Sequence, residues 1–288
     1  MRPYRPGGRR REGRRPSPAP ARPASVGDVI ATLAPFGRIV AGRLRAAGRA
    51  GAQTALAIVY PPTCIGCGAA TGDPHALCAR CWSGIRFIER PYCERLGTPF
   101  AVDLGTALVS PAAIADPPVY GRARAVARFD DTARTLVHRL KYSDRLDLAR
   151  ALGAMMARSG AELAGGADVL VPVPLHPVRL WTRRFNQANA LARVIGRTLE
   201  RPCDPGLLAR VKRTRPQVGL TRPQRGENLQ GAFRVPDGAR HRLAGRRVLL
   251  VDDVITTGAT ANAASRALLR GGAAAVDVLS FARVVPDG

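Results

Sequence analysis

The sequence predicts an α/β fold in which a parallel sheet is flanked by helices and preceded by a cysteine-rich module. In the second half of the chain, short apolar runs alternate with amphipathic segments, which is the pattern of strands covered by helices. One of these runs, residues 248–251, is continuously apolar, as expected for a strand that is buried on both faces. Upstream, four cysteines occur as two Cys-x-x-Cys pairs, a spacing typical of metal-binding ribbons.

The basic charge of the chain is concentrated towards its N-terminal end. The formal net charge is +24, and residues 1–50 contain twelve arginines against Glu12 and Asp28. A segment so rich in Gly, Pro and Arg is typical of a solvated arm, although blocks of like charge also contact polyanions. We interpret residues 1–57 as a basic, partly disordered arm with a helical lead-in, because spaced apolar positions begin near residue 26.

The sequence contains no segment that we interpret as a membrane span or a secretory signal. No stretch approaches the roughly 20 consecutive apolar residues that a transmembrane helix needs. The basic N-terminus also lacks a compact apolar core followed by a small-residue cleavage site. We therefore expect a soluble protein with a cytoplasmic location.

The cysteine-rich module, residues 58–110, predicts one structural zinc site. Cys64 and Cys67 form the first pair, Cys78 and Cys81 form the second, and ten residues separate the pairs. Four thiolates suit tetrahedral Zn²⁺ and leave no position open for catalysis. Two disulfides are the alternative, and a reducing compartment disfavours them. Cys93 begins what looks like another knuckle, but its partner position holds Leu96, so we expect a single zinc ion.

Residues 111–288 supply the elements of the predicted sheet and its helices. We predict strands at residues 125–129, 169–173, 248–251 and 274–282. We predict helices at residues 131–140, 146–158, 185–199 and 259–270. Gly271 and Gly272 follow the last helix and form a favourable stop.

A candidate sugar-phosphate site follows the apolar run of residues 248–251. Asp252 and Asp253 come where this strand is expected to emerge at the C-terminal edge of the sheet, the edge at which ligands bind. These carboxylates can accept hydrogen bonds from sugar hydroxyls. A turn of small and hydroxyl residues then enters a helix, whose free N–H groups attract phosphate. The residues of this turn are Thr256, Thr257, Gly258, Ala259 and Thr260.

Two Arg-rich segments upstream suit the pyrophosphate end of a ligand. Arg179, Arg183 and Arg184 follow the strand predicted at residues 169–173. Residues 210–228 contain six basic side chains against a single acidic one. This stretch could close over a bound phosphate, and an exposed basic loop is the alternative interpretation.

The zinc ribbon, together with residues 183–187, 217–228 and 251–258, resembles the ComF family, in which a zinc ribbon precedes a type I phosphoribosyltransferase domain. The resemblance implies that 5-phosphoribosyl 1-pyrophosphate (PRPP) is bound with Mg²⁺ on its pyrophosphate. It implies that the candidate catalytic residues Asp252 and Asp253 hold the ribose hydroxyls and that the turn at 256–260 cradles the 5-phosphate. Arg183 and Arg184 are further candidate PRPP contacts, and family membership implies an association with DNA uptake.

Two functions therefore compete. The leading hypothesis is a transferase that moves the phosphoribosyl group of PRPP to an unidentified nitrogen acceptor. The alternative is a non-catalytic module that binds single-stranded DNA or a DNA-uptake partner through its ribbon and its Arg-rich surface. Aromatic residues make up only 5% of the chain, which weakens a DNA platform based on stacking.

Overall fold

Four strands form a parallel central sheet. They are β1 (Ala123–Arg128), β2 (Val169–Pro172), β5 (Arg247–Ile255) and β6 (Ala275–Arg283), and their order across the sheet is β1-β6-β5-β2. A separate antiparallel pair consists of β3 (Ala209–Arg210) and β4 (Phe233–Arg234). This computed structural model describes residues 61–285 except 74, 104, 106–107, 143–145, 178–184, 213–223 and 225–227. The predicted arm and lead-in, residues 1–57, lie outside the described residues.

Helices cover both faces of the sheet. Their bounds are α1 Ala79–Ser83, α2 Pro111–Ala115, α3 Asp131–Tyr142, α4 Leu146–Ser159, α5 Ala161–Gly165, α6 Gln187–Thr198, α7 Arg240–Leu243 and α8 Ala259–Arg270. The predicted α/β fold, a parallel sheet flanked by helices, is confirmed. Among the described residues, no helix has the length and apolar character that crossing a membrane requires.

Most element boundaries differ from the predictions by one or two residues, and the differences in β5 and α6 bear on the site. Strand β5 runs to Ile255, because Asp252 and Val254 continue the parallel ladder opposite Ser280 and Ala282 of β6. The carboxylates of Asp252 and Asp253 therefore stand on the last part of the strand, not beyond its end. Helix α6 begins at Gln187, two residues later than predicted, because the preceding Asn186 caps it by accepting a hydrogen bond from the backbone N–H of Asn189.

Alternating residues of β5 pack against helices on opposite faces of the sheet. Leu249 and Val251 belong to a cluster with α3, α4 and α6, whereas Val248 and Leu250 belong to a second cluster that includes α8. Burial on both faces explains the continuous apolar run, because neither face of the strand meets water. The polar residues that follow the run are therefore held at the sheet edge by a rigid strand.

The cysteine-rich module docks along β1. The backbone N–H of Ile88 donates to the carbonyl of Val126 at 2.9 Å, and the N–H of Ala123 donates to the carbonyl of Arg95 at 3.0 Å. Arg124, which is 3% exposed, donates to the carboxylate of Glu94 and to the Glu94 carbonyl. These contacts make the module a part of the same packed unit as the sheet.

Candidate functional site

The C-terminal end of β5 presents the acidic pair. The backbone N–H of Asp253 donates to Oδ1 of Asp252 at 2.8 Å. Burial raises the pKa of Asp252 to about 8, and the neighbouring charge of Asp253 adds to the rise. A carboxyl group with so high a pKa can hold a proton near neutral pH, which is a property common at functional sites.

Lys141 forms an ion pair with one member of this acidic pair, and the sequence analysis did not predict that contact. Its Nζ lies 2.9 Å from Oδ2 of Asp253, and the carboxylate of Asp253 is only 13% exposed. Helix α3 carries Lys141 near its C-terminal end, beside the sheet edge. The sequence does set this residue apart, because Lys141 and Lys212 are the only lysines among 45 basic residues. Spacing along the chain could not reveal that helix α3 brings this lysine to β5.

The turn after β5 has the features of a phosphate-binding loop. Gly258 adopts φ 81°, a left-handed conformation that favours glycine, and it precedes α8 without a side-chain cap. The first N–H groups of this 12-residue helix are therefore available to an anion. The hydroxyl of Thr257 is buried and has no hydrogen-bond partner. An incoming phosphate oxygen could satisfy both kinds of donor.

The segment before β1 contacts this turn and the helix that follows it. Tyr120 is 1% exposed, and its hydroxyl would lie 3.5 Å from a Cβ placed on Gly258. The backbone N–H of Val119 donates to Oδ1 of Asn262, on the first turns of α8, at 2.9 Å. The loop is therefore held in place by packing and hydrogen bonds that need no ligand.

Asn186 and Gln187, which end the segment 183–187 that carries the family resemblance, have supporting roles. Nδ2 of Asn186 donates to the carbonyl of Val173 at 3.1 Å, and its other side-chain atom caps α6. Gln187 is 2% exposed, and its Nε2 lies 3.5 Å from the carbonyl of Lys141. The two side chains connect α6 to the end of β2 and to the helix that carries Lys141.

The remaining predicted anion contacts lie outside the described residues. These are Arg179, Arg183 and Arg184, and most of the basic stretch at residues 210–228. The structure thus brings together Asp252, Asp253 and the turn at 256–260, and it adds Lys141 to them.

The four cysteines of the two pairs form a compact cluster. The sulfur atoms of Cys64, Cys67, Cys78 and Cys81 all lie within 4.8 Å of one another, and those of Cys67 and Cys78 are 3.6 Å apart. A tetrahedron with Zn–S bonds of about 2.3 Å places its sulfurs about 3.8 Å apart. The cluster therefore fits the ion that the spacing predicted.

The protonation of these thiols also suits a cation. Burial raises the pKa of Cys64, but the N–H groups of Cys78, Cys67 and Gly66 outweigh burial and lower it to about 6. Burial and the neighbouring thiols raise the pKa of Cys81 to about 12. A metal ion at the centre of the cluster would hold all four sulfurs as thiolates, and the geometry of the four sulfurs supports structural zinc at this site.

A second ribbon follows the first and repeats its backbone hydrogen bonds. We call residues 63–84 the first ribbon and residues 92–115 the second ribbon. In the first, the N–H of Gly68 donates to the carbonyl of Cys64 at 2.9 Å, and in the second the N–H of Gly97 donates to that of Cys93 at 2.7 Å. Each knuckle is closed by an antiparallel bridge, Thr63 with Ala70 and Tyr92 with Pro99.

The second half of each ribbon matches as well. The N–H of Cys78 donates to the sulfur of Cys64 at 3.2 Å, and the N–H of Ser110 donates to the sulfur of Cys93 at the same distance. Cys78 and Ser110 are also the N-caps of α1 and α2. Ser110 and Ala113 therefore occupy the positions of Cys78 and Cys81. The sequence analysis identified Leu96 as a replaced ligand, because Leu96 stands three residues after Cys93. It missed Ser110 and Ala113, because no cysteine remains in that second pair.

Comparison with known proteins agrees with this architecture. A family model described as a double zinc ribbon domain matches residues 55–112. DNA utilization protein YhgH of Escherichia coli K12 is 32% identical over 217 residues, covering 73% of this chain and 91% of that protein. Competence protein F of Haemophilus influenzae is 30% identical over 218 residues, with the same coverage.

Among solved structures, glutamine PRPP amidotransferase from Bacillus subtilis is similar with a TM-score of 0.34 and 22% identity. That likeness covers 49% of this chain and 29% of that one. The architecture defines a zinc-ribbon protein with a parallel α/β domain. By the identity and coverage of its relatives, the chain belongs to the ComF family, together with competence protein F and DNA utilization protein YhgH.

Proposed function

We propose that the α/β domain binds PRPP with Mg²⁺ and transfers its phosphoribosyl group to a nitrogen acceptor, in a protein associated with DNA uptake. The observation that carries the proposal is the placement of an acidic pair directly before an uncapped helix N-terminus. The 5-phosphate and the 2,3-diol of PRPP belong to the same ribose unit, so the protein groups that bind them must lie on neighbouring positions. The names of the relatives, which refer to competence and DNA utilization, support the biological context.

Each group of the site has a role in this reaction. Asp252 and Asp253 accept hydrogen bonds from the ribose 2- and 3-hydroxyls and orient the ring. The turn at 256–260 holds the 5-phosphate through Thr257 and the N–H groups of α8. Lys141 balances the charge of Asp253 and adds positive potential for an anionic ligand. Mg²⁺, when bound with PRPP, would offset charge on the leaving pyrophosphate.

Transfer breaks the bond between C1 and the pyrophosphate oxygen, and the electron pair leaves with the pyrophosphate. The nitrogen lone pair of the acceptor forms the new bond to C1, and its proton passes to water. Positive charge develops on the ribose ring between these events, beside the two carboxylates. A fixed negative group at this position stabilises that charge without reorganisation.

Calorimetry with PRPP and Mg²⁺ tests the site. We expect Asp252→Asn and Asp253→Asn each to lower affinity by about tenfold or more, since each removes a charged hydrogen-bond acceptor. Thr257→Val should weaken binding by a smaller factor while leaving the fold intact, because the hydroxyl has no partner in the free protein. Asp237→Asn, at a carboxylate that is 85% exposed, is the matched control. Unchanged affinity in both acidic-pair variants would overturn the proposal.

The acidic pair also predicts a pH dependence. The pKa of Asp252 in the folded chain, about 8, lies above that of an unfolded aspartate. Its contribution to stability is therefore complete below about pH 4 and is lost as pH rises through about 8. PRPP binding should tighten over that upper range, because ribose hydroxyls need the ionised carboxylate. Asp253→Asn lowers the pKa of Asp252 and should shift this dependence to lower pH, as measured by thermal unfolding and calorimetry across pH 6–9.

One observation favours the DNA-binding alternative. Trp82 is 50% exposed and lies 5.1 Å, centroid to centroid, from Phe87 on the ribbon surface. Arg86 lies beside Phe87 in sequence, and its side chain is 74% exposed. Exposed aromatic and basic groups together suit a single strand. Trp82→Ala should weaken binding of a fluorescent oligothymidine severalfold if this surface is used, and PRPP affinity should not change.

A further inference from the structure

A basic groove runs beside α8. It is a cavity of about 800 Å³ between α8, β4 and α7, and it extends from Thr257, in the turn after β5, to Gly271, just past the end of α8. We call this cavity the α8 groove. Among the described residues that line it, four are arginines and one, Asp116, is acidic. The arginines are Arg234, Arg240, Arg266 and Arg270.

Most of this positive charge is not neutralised by the protein. Arg240 lies 3.3 Å from a carboxylate oxygen of Asp237. Arg234, Arg266 and Arg270 are exposed and form no ion pair within the part of the chain that the structure describes. A cleft lined by charges of one sign focuses their field and raises the local concentration of the opposite charge. The α8 groove is therefore suited to an anionic ligand.

The surface of α8 gives this groove a repeating pattern. Ala259, Ala263 and Ala267 follow one another at intervals of four residues, line the groove and are only partly buried. Their small side chains form a smooth apolar floor. Arg266 and Arg270 are also four residues apart, which separates them by about 6 Å along the helix axis. A ligand that lies along α8 thus meets positive charges at a regular spacing beside an apolar strip.

This pattern favours a strand with regularly spaced anionic groups over a compact anion. The 12 residues of α8 span about 18 Å, which is longer than the phosphate chain of a nucleoside triphosphate. A single-stranded nucleic acid carries one phosphate per nucleotide, and in an extended strand neighbouring phosphates are separated by about one turn of an α-helix. Its sugars and unpaired bases supply apolar surface for the alanine floor. A duplex keeps its bases paired inside and cannot offer that surface.

We infer that the α8 groove binds the backbone of a single-stranded nucleic acid, with successive phosphates on Arg266 and Arg270. Arg234 and Arg240 add positive potential from β4 and α7. Because phosphate contacts carry no base information, binding through this groove is independent of sequence. The inference goes beyond the proposed function, which assigns PRPP to the turn after β5. It also uses a different surface from that of the ribbon around Trp82.

Fluorescence anisotropy with a short fluorescent oligothymidine tests the groove at several salt concentrations. We expect the double variant Arg266→Gln, Arg270→Gln to bind about tenfold or more weakly than the wild type at low salt. The slope of log affinity against log salt should become shallower by about 1.4, since each phosphate contact to a single strand accounts for about 0.7. Both arginines are exposed and Gln has a similar helix propensity, so the melting temperature should not change. An unchanged affinity and slope overturns the inference.

A matched pair of arginines on α6 is the control. Arg193 and Arg197 are also four residues apart on a 12-residue helix, and both are exposed. Arg193→Gln, Arg197→Gln removes the same charge, and we expect it to bind the oligothymidine within about twofold of the wild type. Every variant retains the basic N-terminal segment, so any contribution from its arginines is the same throughout. Equal losses in the two double variants would show that only net charge matters, and the inference would then be wrong.

Competition identifies the class of partner. At equal phosphate concentration, unlabelled oligothymidine should displace the probe more effectively than a duplex, whose bases are paired inside. It should also be more effective than polyglutamate at an equal concentration of charge, because carboxylates on a polypeptide do not repeat the spacing of phosphates. Equal displacement by the duplex would contradict the assignment to a single strand. Equal displacement by polyglutamate would assign the groove to acidic protein segments instead.

Two further measurements separate this inference from the proposed function and from the ribbon surface. Arg266→Gln, Arg270→Gln should bind PRPP within about twofold of the wild type, and a tenfold loss would assign these arginines to PRPP. If Trp82→Ala abolishes oligothymidine binding while the α8 variant keeps it, the strand lies on the ribbon and the inference fails. If the wild type does not bind PRPP, the proposed function fails, and anisotropy still decides the role of the α8 groove.

Discussion

The two ribbons have the same backbone hydrogen bonds but different chemistry at the four ligand positions. The first ribbon has four cysteines that cluster for a metal ion. The second ribbon keeps only Cys93 and has Leu96, Ser110 and Ala113 at the other three positions. Burial raises the pKa of Cys93, and hydrogen bonds from Ser110, Leu96 and Arg95 outweigh it and lower the pKa below the ordinary value. The sulfur of Cys93 still organises the knuckle as a hydrogen-bond acceptor.

The difference shows that packing can replace the metal. The second ribbon lies against β1, where the Arg95 carbonyl accepts from Ala123 and Glu94 pairs with Arg124. Leu96 and Ala113 put apolar atoms where thiolates would stand, and Ala113 is 2% exposed. In the first ribbon, helix α1 buries none of its residues, whereas α2 of the second ribbon buries Ala113. A small module with so little core commonly depends on a metal ion.

The largest effect should come from breaking the metal cluster. Cys81→Ser should reduce bound zinc from one ion per chain to none and unfold the first ribbon, because ligand binding and folding of such modules are coupled. Elemental analysis measures the zinc. Hydrogen exchange should show lost protection at the N–H groups of Gly68 and Trp82, which are hydrogen-bonded in this ribbon.

The second ribbon supplies the control for this experiment. Cys93→Ser should leave one zinc ion bound, since Cys93 is not part of the cluster. In Cys81→Ser, the N–H of Gly97 should keep its protection, because its hydrogen bond and the docking on β1 need no metal. Equal loss of protection in both ribbons would mean that the second ribbon depends on the first.

The next effect should come from undocking the second ribbon. Arg124→Met removes a buried partner of Glu94 and leaves that carboxylate poorly compensated, so we expect a loss of about 3 kcal/mol in the free energy of unfolding. Arg90→Met removes the other partner of the same carboxylate, but Arg90 is 57% exposed, so its loss should cost under about 1 kcal/mol. Urea denaturation of the two variants measures both. Equal costs would show that burial does not set the strength of this network.

Sequence patterns predicted the parts of the molecule whose signal is local. The apolar run at 248–251 predicted a buried strand, the Cys-x-x-Cys pairs predicted the metal cluster, and residues 259–270 predicted α8 with both of its ends. Each depends on residues close together in the chain. The acidic pair was placed at the correct sheet edge, although β5 extends through it because β6 offers backbone partners there.

The parts that were not predicted depend on contacts between distant segments. Lys141 reaches Asp253 across more than 100 positions. Arg283 is buried, and its Nε and Nη1 atoms have no hydrogen-bond partner, which no sequence pattern could indicate. The second ribbon was not predicted for a different reason. Ser110 and Ala113 correspond to Cys78 and Cys81 in backbone geometry, but their side chains have lost the chemistry that defines the motif.

A smaller effect should distinguish the two knuckle glycines. Both Gly68 and Gly97 have positive φ, so Ala at either position costs about 1 kcal/mol from backbone strain. A Cβ on Gly97 would also lie 2.5 Å from the carbonyl oxygen of Ala123, whereas a Cβ on Gly68 meets nothing within 4 Å. Gly97→Ala should therefore be the more destabilising by about 1–2 kcal/mol in urea denaturation. Equal values would mean that the second ribbon can shift on β1 without cost.

The sharpest test of the comparison is to restore the missing ligands of the second ribbon. We expect this change to have the smallest effect on stability. The triple variant Leu96→Cys, Ser110→Cys, Ala113→Cys should bind two zinc ions per chain by elemental analysis. The reason is that the N–H groups of Ser110 and Cys78 already lie at the same 3.2 Å from their cysteine sulfurs. The double variant Leu96→Cys, Ser110→Cys offers three sulfurs and should bind the second ion more weakly. A triple variant that is folded but still binds one ion would show that the second ribbon has diverged in side-chain geometry as well as in residue type.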